Sequence, residues 1–442
     1  MSVSGNENVA GMPVRAVPIL PAILASSLGW ALDLFDLFIL LYVAPVVGKL
    51  FFPSEYPTIS LAAVYASFAV TLFMRPVGSA LFGSYADRKG RKGAMIVAVT
   101  GVGIVTALFG LLPTIQQAGL LAPALFLVLR LLQGIFVGGV VASTHTIGTE
   151  SVPPYWRGAV SGLVGGGGAG IGALIASLVY FATTEAFPGP AYEVWGWRFM
   201  FFSGILSSIL GLLIFNKLEE SPIWSELNAK RATSKTTEAR APIRALFSPD
   251  YLPLFLVNLL MTFGAGAGYY LTSGYLPTFL KVVNGIPTQS TALILIASSA
   301  FAIFICIATG HLSTLFGRKT VMLTMALLRL AGMPLAYIGM GLTHDFTVLL
   351  GYALFLTFLG NAGYAPLLVF LNERFPTALR STGTGLSWNT GFAIGGIMPT
   401  FVSLSASTTG ALPVVLAAFT FGVSVIFLIG ALIIPETRGN FR

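Results

Sequence analysis

The chain has 442 residues, of which 55% are hydrophobic and only 9% are charged, with a formal net charge of +8. A soluble domain carries about 25% charged residues, so this composition excludes an ordinary water-soluble protein and predicts one solvated mainly by lipid. A single Cys and three separated His exclude a disulfide framework and disfavour a metal centre. The basic residues lie in short turns between apolar runs, which argues against nucleic-acid binding.

Long apolar runs follow one another from end to end of the chain. A spanning helix needs about 20 mostly apolar residues, and runs of this length are too long for the strands of a membrane barrel. The first run is long enough to span and is interpreted as a retained helix, not a signal peptide. The runs predict an all-α membrane protein with twelve transmembrane helices, at 17–45, 58–83, 93–114, 121–148, 158–183, 197–217, 250–280, 289–313, 320–341, 346–371, 381–407 and 411–434.

One long polar segment, at about 218–249, interrupts these runs. It divides the chain into a predicted N-terminal six-helix bundle (1–217), a cytoplasmic central loop (218–249) and a C-terminal six-helix bundle (250–442). Most of the 24 Lys and Arg fall on one side of the membrane if both termini lie inside the cell. Because cytoplasmic loops are enriched in Lys and Arg, the sequence predicts both termini in the cytoplasm.

A charged turn occurs twice. GSYADRKGRK at 83–92 matches GHLSTLFGRK at 310–319, with the glycines and the Arg-Lys pair in register, although Thr314 stands where the first copy has Asp87. A second signature, from Glu150 to Arg157, recurs as Glu373 to Arg380. Two signatures repeated at similar offsets predict two homologous, pseudo-symmetric halves. Such halves commonly place a substrate site between them and alternate its access by rocking.

Short motifs recur along the whole chain, namely DLFDLF (33–38), VGKLFFP (47–53), RPVG (75–78), the turn at 83–92, Gln133-Gly134, Glu150 to Arg157, WGWR (195–198), EESP (219–222), YYLTSGYLPTFL (269–280), ERFP (373–376) and PET (435–437). In this order and spacing they resemble the major facilitator superfamily and, within it, the metabolite:proton symporter family, with sialate and monocarboxylate carriers as near neighbours. Members that it resembles carry organic acids, or the zwitterions proline and betaine, usually with protons. Val140 departs from the family, since a Glu often stands there, and this leaves coupling at that position open.

Charged residues within the apolar runs are costly, by about 2.5–3.5 kcal/mol for a central residue, and therefore informative. Asp33 and Asp36 are three residues apart and share a helix face. Two carboxylates so close repel, and a carboxyl that gains and loses a proton is what a symporter needs. We predict Asp36 and Asp33 as proton-coupling residues; the alternative is an ion pair with a neighbouring Arg.

Arg75 and Arg130 are predicted to bind a substrate carboxylate, because a guanidinium can do so through two hydrogen bonds. Arg75 could equally pair with an Asp of the first helix. Arg130 resembles the fourth-helix Arg of the superfamily and shares a face with Gln133, which is also predicted to bind substrate; the alternative for Arg130 is a buried structural pair. Arg329 is expected to be peripheral, with a structural or interfacial role, and His145 is expected to be a hydrogen-bonded structural residue.

The substrate candidates of the C-terminal half are neutral. The superfamily resemblance implies that helices 1, 4, 7 and 10 line the cavity, and aromatic residues with a polar tip can hold an organic acid by packing plus a hydrogen bond. Lipid-facing or packing roles remain open for each of them. The candidates are Tyr269, Tyr270, Asn361, Tyr364, Trp388 and Asn389.

Two further patterns concern movement. The glycines between 165 and 172 predict a close approach of two helices, not a phosphate-binding loop. The repeated turns predict a gating latch on the cytoplasmic side, the alternative being a plain positive anchor. The predicted gating residues are Gly83, Asp87, Arg88, Gly90, Arg91, Glu150, Arg157, Gly317, Arg318, Glu373 and Arg380.

We therefore predict a monomeric secondary active transporter in the cell membrane that moves a small organic acid with protons. A zwitterion symporter of the proline/betaine kind and an uncoupled uniporter are alternatives, and a transporter-like membrane sensor is a third. The sequence contains no nucleophile–base set and no metal cluster, so an enzyme is disfavoured. No cofactor and no nucleic-acid partner are expected, only substrate, protons and lipid.

Overall fold

A computed structural model of the chain describes residues 19–89, 91–150, 152–216 and 246–439. Within these ranges the backbone is helical, with short turns and no strand. Helices satisfy their own backbone hydrogen bonds, which is what a chain of this apolarity needs in lipid.

The N-terminal half (19–216) contains nine α-helices. A π-helical turn at Leu163–Gly167 separates α6 from α7, another at Tyr192–Gly196 precedes α8, and a 3₁₀ turn at Pro154–Trp156 precedes α6. The helices are α1 (Ile19–Phe51), α2 (Pro57–Lys89), α3 (Arg91–Phe109), α4 (Ile115–Ala118), α5 (Leu121–Glu150), α6 (Arg157–Gly162), α7 (Gly168–Ala186), α8 (Trp197–Phe202) and α9 (Gly204–Asn216).

The C-terminal half (246–439) contains nine more. A π-helical turn at Tyr270–Gly274 joins α10 to α11, and a 3₁₀ turn at Thr409–Ala411 precedes α18. The helices are α10 (Leu252–Tyr269), α11 (Leu276–Val282), α12 (Thr288–Phe316), α13 (Arg318–Gly341), α14 (Phe346–Ala362), α15 (Leu367–Arg374), α16 (Thr377–Gly395), α17 (Met398–Ser405) and α18 (Leu412–Ile433).

Ten helical stretches among the described residues are long and apolar enough to cross a membrane, if helices that follow one another with only short interruptions are joined. Two predicted spans are not among them. The apolar part of α3 is shorter, at Ile96–Phe109, and the eleventh predicted span is divided into α16 and α17 near Gly396. An all-α membrane fold is thus confirmed, while the count of twelve and the position of the termini stay predictions.

Two groups of helices carry most of the contact between the halves among the described residues. α6 and α7 pack against α12, and α2 packs against α16 and α17. α2 and α12 each end within a copy of the charged turn, whereas α6 and α16 each begin within a copy of the second signature. The two contacts are therefore the same pairing made twice with the repeats exchanged, as a pseudo-two-fold axis between homologous halves produces.

Glycine makes the α6–α12 contact possible. A Cβ on Gly158 would overlap the carbonyl oxygen of Gly310, and one on Gly162 would overlap the carbonyl oxygen of Cys306. A Cβ on Gly166 would meet the Cys306 side chain. The close approach predicted for the glycine run is confirmed at Gly166, and it extends along α6, because only residues without a Cβ let the two backbones come this near.

Candidate functional site

A small cavity lies between the two halves. It has a volume of about 20 Å³, enough for one or two water molecules and too little for an organic substrate. The halves must therefore separate on one side before any substrate can enter. Its walls come from α1, α7, α10, the π-helical turn at Tyr270–Gly274, α11, α12 and α14, and include Phe38, Tyr42, Tyr269, Ser298, Ser299 and Asn361.

A cluster of aromatic rings begins at Tyr269 in the wall of this central cavity. Tyr269 and Tyr364 meet edge to face with ring centres 5.5 Å apart, and Tyr364 lies 6.3 Å from Trp388. Trp388 in turn meets Trp30 of the N-terminal half at 6.1 Å. Tyr270 contacts the Tyr269 ring at 5.4 Å. Four of the predicted substrate residues are thus brought into one cluster that joins the two halves.

Asn361 stands in the cavity wall at the end of α14. Its amide donates hydrogen bonds to the Ser273 hydroxyl (3.1 Å) and to the Thr357 carbonyl oxygen (2.9 Å). The Tyr364 hydroxyl donates to the Asn361 side-chain oxygen at 3.4 Å. Asn389, also predicted from the sequence, is partly buried on α16 and does not line the cavity.

Asp33 and Arg75 form a buried ion pair inside the N-terminal half, with 3.2 Å between Oδ2 and Nη1. The Asp33 side chain is 1% exposed and that of Arg75 is 5% exposed. The Arg75 guanidinium also lies 6.0 Å from the centre of the Trp30 ring. Arg75 therefore pairs with an Asp of the first helix, which was the alternative to binding a substrate carboxylate. Neither residue lines the central cavity.

Asp36 has no cationic partner among the residues that the structure describes. Ser207 of α9 donates a hydrogen bond to its Oδ2 at 2.9 Å, and its Oδ1 is buried without a partner. Both Asp33 and Asp36 line a second small cavity, between α1, α3 and α9, together with Val102. Asp36 therefore faces the interior of the N-terminal half, away from the central cavity.

Arg130 begins a chain of buried hydrogen bonds that leads toward Asp36. Its Nη1 donates to Gln133 Oε1 at 2.7 Å, and Gln133 Nε2 donates to the Thr106 hydroxyl at 2.8 Å. Thr106 and Asp36 come together at Gly204, where a Cβ would lie 2.5 Å from Thr106 Cγ2 and 3.3 Å from Asp36 Oδ1. The hydrogen bonds join α5 to α3, and the Thr106 side chain then lies close to Asp36 of α1 beside Gly204 of α9.

The Arg130 guanidinium packs mainly against the faces of aromatic rings. The guanidinium lies 4.3 Å from the centre of the Phe109 ring and 5.1 Å from that of Phe126. No acidic side chain among the described residues contacts it, and its Nε and Nη2 atoms lack hydrogen-bond partners. Arg130 and Gln133 belong to the interior of the N-terminal half and are separate from the lining of the central cavity.

Arg329 is buried completely, so the expectation of a peripheral position is wrong. Its Nη2 donates a hydrogen bond to the Gly264 carbonyl oxygen of α10 at 3.0 Å, and its guanidinium lies 4.6 Å from the centre of the Phe427 ring of α18. Gly268 and Gly363 leave the room that the side chain fills. The apolar surroundings of this residue in the sequence concealed that it points into the C-terminal half.

The second copy of the charged turn forms a buried ion pair. Arg318 contacts Glu373 at 3.1 Å, and each side chain is 2% exposed. Thr437 donates a hydrogen bond to Glu373 at 2.7 Å, while Glu436 accepts hydrogen bonds from the backbone nitrogens of Arg318 and Lys319. The C-terminal segment thus closes over the pair, on what we name the turn side, the end of the molecule that carries residues 310–319.

Some of the other predicted gating residues lie among the described residues. Gly317 adopts a φ of 101°, a left-handed conformation that favours glycine, at the junction of α12 and α13. Arg380 is buried and donates to the Asn372 carbonyl oxygen at 3.0 Å, and Arg157 is partly buried at the start of α6. Six predictions lie outside the residues or side chains that the structure describes: Gly83, Asp87, Arg88, Gly90, Arg91 and Glu150. His145 lies outside them as well.

The end opposite the turn side is also closed by contacts between the halves. Tyr65 of α2 donates a hydrogen bond to the Thr278 hydroxyl of α11 at 2.8 Å, and its ring stacks on Tyr275 with 5.0 Å between centres. Gln289 donates to Glu185 farther out. Described contacts therefore join the halves at both ends of the molecule.

Replacement of Tyr65 by phenylalanine is expected to loosen this opposite end. The ring stack remains, but one buried hydrogen bond, worth about 0.5–1.5 kcal/mol, is lost. The closed arrangement should become roughly 2- to 12-fold less populated. Maleimide labelling of a cysteine introduced at Leu61, a buried residue one turn before Tyr65 on α2, would measure this in a Cys306→Ala chain with and without the Tyr65 change, and equal labelling rates would contradict it.

The cavity wall includes residues that sequence reasoning missed, namely Phe38, Tyr42, Ser298 and Ser299. The Tyr42 and Ser177 hydroxyls are hydrogen-bonded at 2.9 Å, and the Ser177 hydroxyl lies 3.4 Å from that of Ser299. The one available signal was the adjacent Ser298 and Ser299 in an otherwise apolar run. Serine is common in spanning helices, so the pair alone does not predict a site.

A model of the Major Facilitator Superfamily matches residues 16–400. A putative metabolite transport protein of Haemophilus influenzae is 30% identical over 87% of this chain and 89% of its own length. The citrate-proton symporter of Klebsiella pneumoniae is 28% identical over 93% of this chain and 90% of its own length. A proline/betaine transporter of Escherichia coli is 27% identical over 95% of this chain and 84% of its own length.

A solved structure supports the fold. The crystal structure of a D-xylose-proton symporter superposes with a TM-score of 0.73 at 20% identity, covering 95% of this chain and 98% of the symporter. The superfamily match spans most of the chain, and the relatives extend along nearly all of it. The chain therefore belongs to the major facilitator superfamily and is a multi-pass membrane transporter, not an enzyme.

Proposed function

We propose that this protein carries a small organic acid across the cell membrane together with protons, by alternating access. The observation that carries the proposal is Asp36, a carboxylic acid buried inside the N-terminal half, with no cationic partner among the described residues. An ionised carboxylate in such a place is costly, and binding a proton removes that cost. Asp33, held by Arg75, is the second acid of the same site.

α1 connects this acid to the central cavity. Asp36 and Phe38 are two positions apart, so their side chains lie on nearly opposite sides of α1. Phe38 lines the central cavity, and Asp36 faces Ser207 of α9. Gain or loss of a proton at Asp36 changes how α1 packs on α9, and the other face of α1 transmits that change to the substrate. Coupling at Asp36 does not require an acid at position 140, where this chain has Val140.

The closed contacts at both ends support rocking of one half on the other. The turn side closes through α6 and α12, and the opposite end closes through Tyr65, Thr278 and Tyr275. Opening one end while keeping the other closed would expose the central cavity to one side at a time. We propose that the turn side is cytoplasmic, because the basic residues of the chain gather there.

An organic acid is the proposed substrate because relatives along the whole chain include a protein named a citrate-proton symporter. Transport of a zwitterion is the second candidate. It is supported by the rings of Tyr269, Tyr364 and Trp388 near the cavity, since aromatic faces attract organic cations. Relatives named proline/betaine transporters fit this second candidate.

Replacement of Asp36 by asparagine tests the proposal. The amide keeps the shape of the side chain and the hydrogen bond to Ser207, but it takes up no proton near neutral pH. In proteoliposomes, accumulation of an organic acid driven by an inward proton gradient should fall at least tenfold. Exchange of labelled for unlabelled substrate at equal pH should persist, because exchange needs no net proton movement.

The matched control is Glu55→Gln, which removes an exposed acid from the loop after α1. It should accumulate substrate at the wild-type rate. Gradient-driven accumulation by Asp36→Asn at the wild-type level would show that Asp36 is not the coupling acid. Absence of accumulation of every acid by the wild-type protein would refute proton-coupled acid transport itself.

A further inference from the structure

We infer that the central cavity takes a molecule with one carboxylate group and an uncharged remainder, and that this monocarboxylate moves with one proton so that no net charge crosses. The inference rests on the proposed function, because it specifies which class of organic acid is carried. One anion and one proton enter on one side and leave on the other, and no bond of the substrate is made or broken.

Hydroxyl groups in the cavity wall can hold one carboxylate. Ser298 is 5% exposed, and its hydroxyl has no hydrogen-bond partner among the described residues. Next to it, the Ser299 hydroxyl lies 3.4 Å from Ser177, a long contact that leaves it able to donate elsewhere. A buried polar group without a partner is rare in folded proteins. A substrate oxygen is the partner that the position of Ser298 calls for.

The described lining of the cavity contains no Asp, Glu, Lys, Arg or His. Arg75 is paired with Asp33, and Arg130 and Arg329 are buried inside the N-terminal and C-terminal halves. A carboxylate can be stabilised by several hydroxyl donors, because hydrogen bonds to a charged group are strong. A second or third carboxylate would be buried without a cation and without enough donors, which is strongly unfavourable.

The rest of the wall suits a short carbon skeleton. Phe38, Leu276, Leu295 and Ala302 line it, together with the ring of Tyr269. These side chains favour the removal of apolar surface from water. The single negative charge of the cargo is balanced by the proton on Asp36, which lies across α1 from Phe38, so the loaded carrier has the same net charge as the empty one.

The test uses the full chain in proteoliposomes with an inward proton gradient. The monocarboxylate probes are acetate, lactate, pyruvate and 3-hydroxybutyrate, and the comparison probes are succinate, citrate and glycine betaine. At least one monocarboxylate should be taken up, and succinate, citrate and betaine should not compete with it. A membrane potential imposed with potassium and valinomycin should leave the initial rate unchanged within about 1.5-fold.

Ser298→Ala tests the binding residue. The KM for the transported monocarboxylate should rise about tenfold, as expected for one lost hydrogen bond to a charged group. The thermal stability of the substrate-free protein should be unchanged or higher, because the lost hydroxyl had no partner. A structural role would instead lower that stability. Ser290→Ala, on the same helix and away from the cavity lining, is the control and should keep the wild-type KM.

The outcomes separate the two proposals. Proton-driven uptake of citrate or succinate, or a rate that follows the membrane potential, would overturn the inference and leave proton-coupled acid transport standing. Uptake of betaine alone would overturn both and favour the zwitterion candidate. An unchanged KM in Ser298→Ala would remove the serine from the site. Failure of every probe would refute the proposed function and the inference with it.

Discussion

Replacement of Glu373 by alanine is expected to destabilise the protein by about 3–5 kcal/mol, the largest stability effect of a single change considered for this chain. Arg318 and Glu373 are joined at 3.1 Å with both side chains 2% exposed. Removing the carboxylate leaves the guanidinium buried without its counter-charge. Thr437 loses its acceptor as well, so the closure of the C-terminal segment over the turn side is weakened at the same time.

Thermal unfolding of the detergent-solubilised protein, followed by loss of the monodisperse peak, measures this effect. Glu193→Ala is the matched control, because Glu193 and Lys49 also meet at 3.0 Å but are 53% and 68% exposed. That change should cost no more than about 1 kcal/mol. The double variant Arg318→Met with Glu373→Leu should recover part of the loss, since no buried charge remains. Equal melting of Glu373→Ala and the wild type would contradict the buried pair.

Replacement of Gly162 by leucine is expected to hold the turn side open and to abolish most transport. A side chain there collides with the backbone of Cys306 on α12 when the halves are closed. Overpacking of this kind costs about 1–3 kcal/mol, which lowers the population of the closed arrangement by roughly 5- to 150-fold. The transport rate should fall by a similar factor, because closure of this end is required in every turnover.

Cys306 provides the readout, since it is the one cysteine of the chain and is completely buried beside Gly162 and Gly166. Its reaction with a small maleimide should be slow in the wild type and clearly faster in Gly162→Leu. Gly351→Leu is the control, because Gly351 is exposed on α14 and a Cβ there meets no other atom within 4 Å. Wild-type labelling and wild-type transport in Gly162→Leu would show that closure of the turn side does not depend on the α6–α12 contact at Gly162.

Much of this architecture was predictable from composition and repetition. The low charge content and the long apolar runs required helices in lipid, and the two copies of the charged turn required two related halves. The structure and the superfamily match confirm the fold and the family. The Asp33–Arg75 ion pair agrees with the alternative stated for both residues, in which each pairs with the other. Tyr269, Tyr270, Tyr364 and Trp388, predicted as substrate residues, lie together in one cluster.

The direction in which each residue points was decided by tertiary structure alone. In a soluble helix the contrast between polar and apolar faces marks the side that is buried, but a spanning helix is apolar all round and lacks this contrast. The sequence could therefore place Asp36, Arg130 and Arg329 at membrane depth without showing that each points into one half. For the same reason Ser298 gave no sign of lining the cavity, because only the packing of α12 against the N-terminal half brings it there.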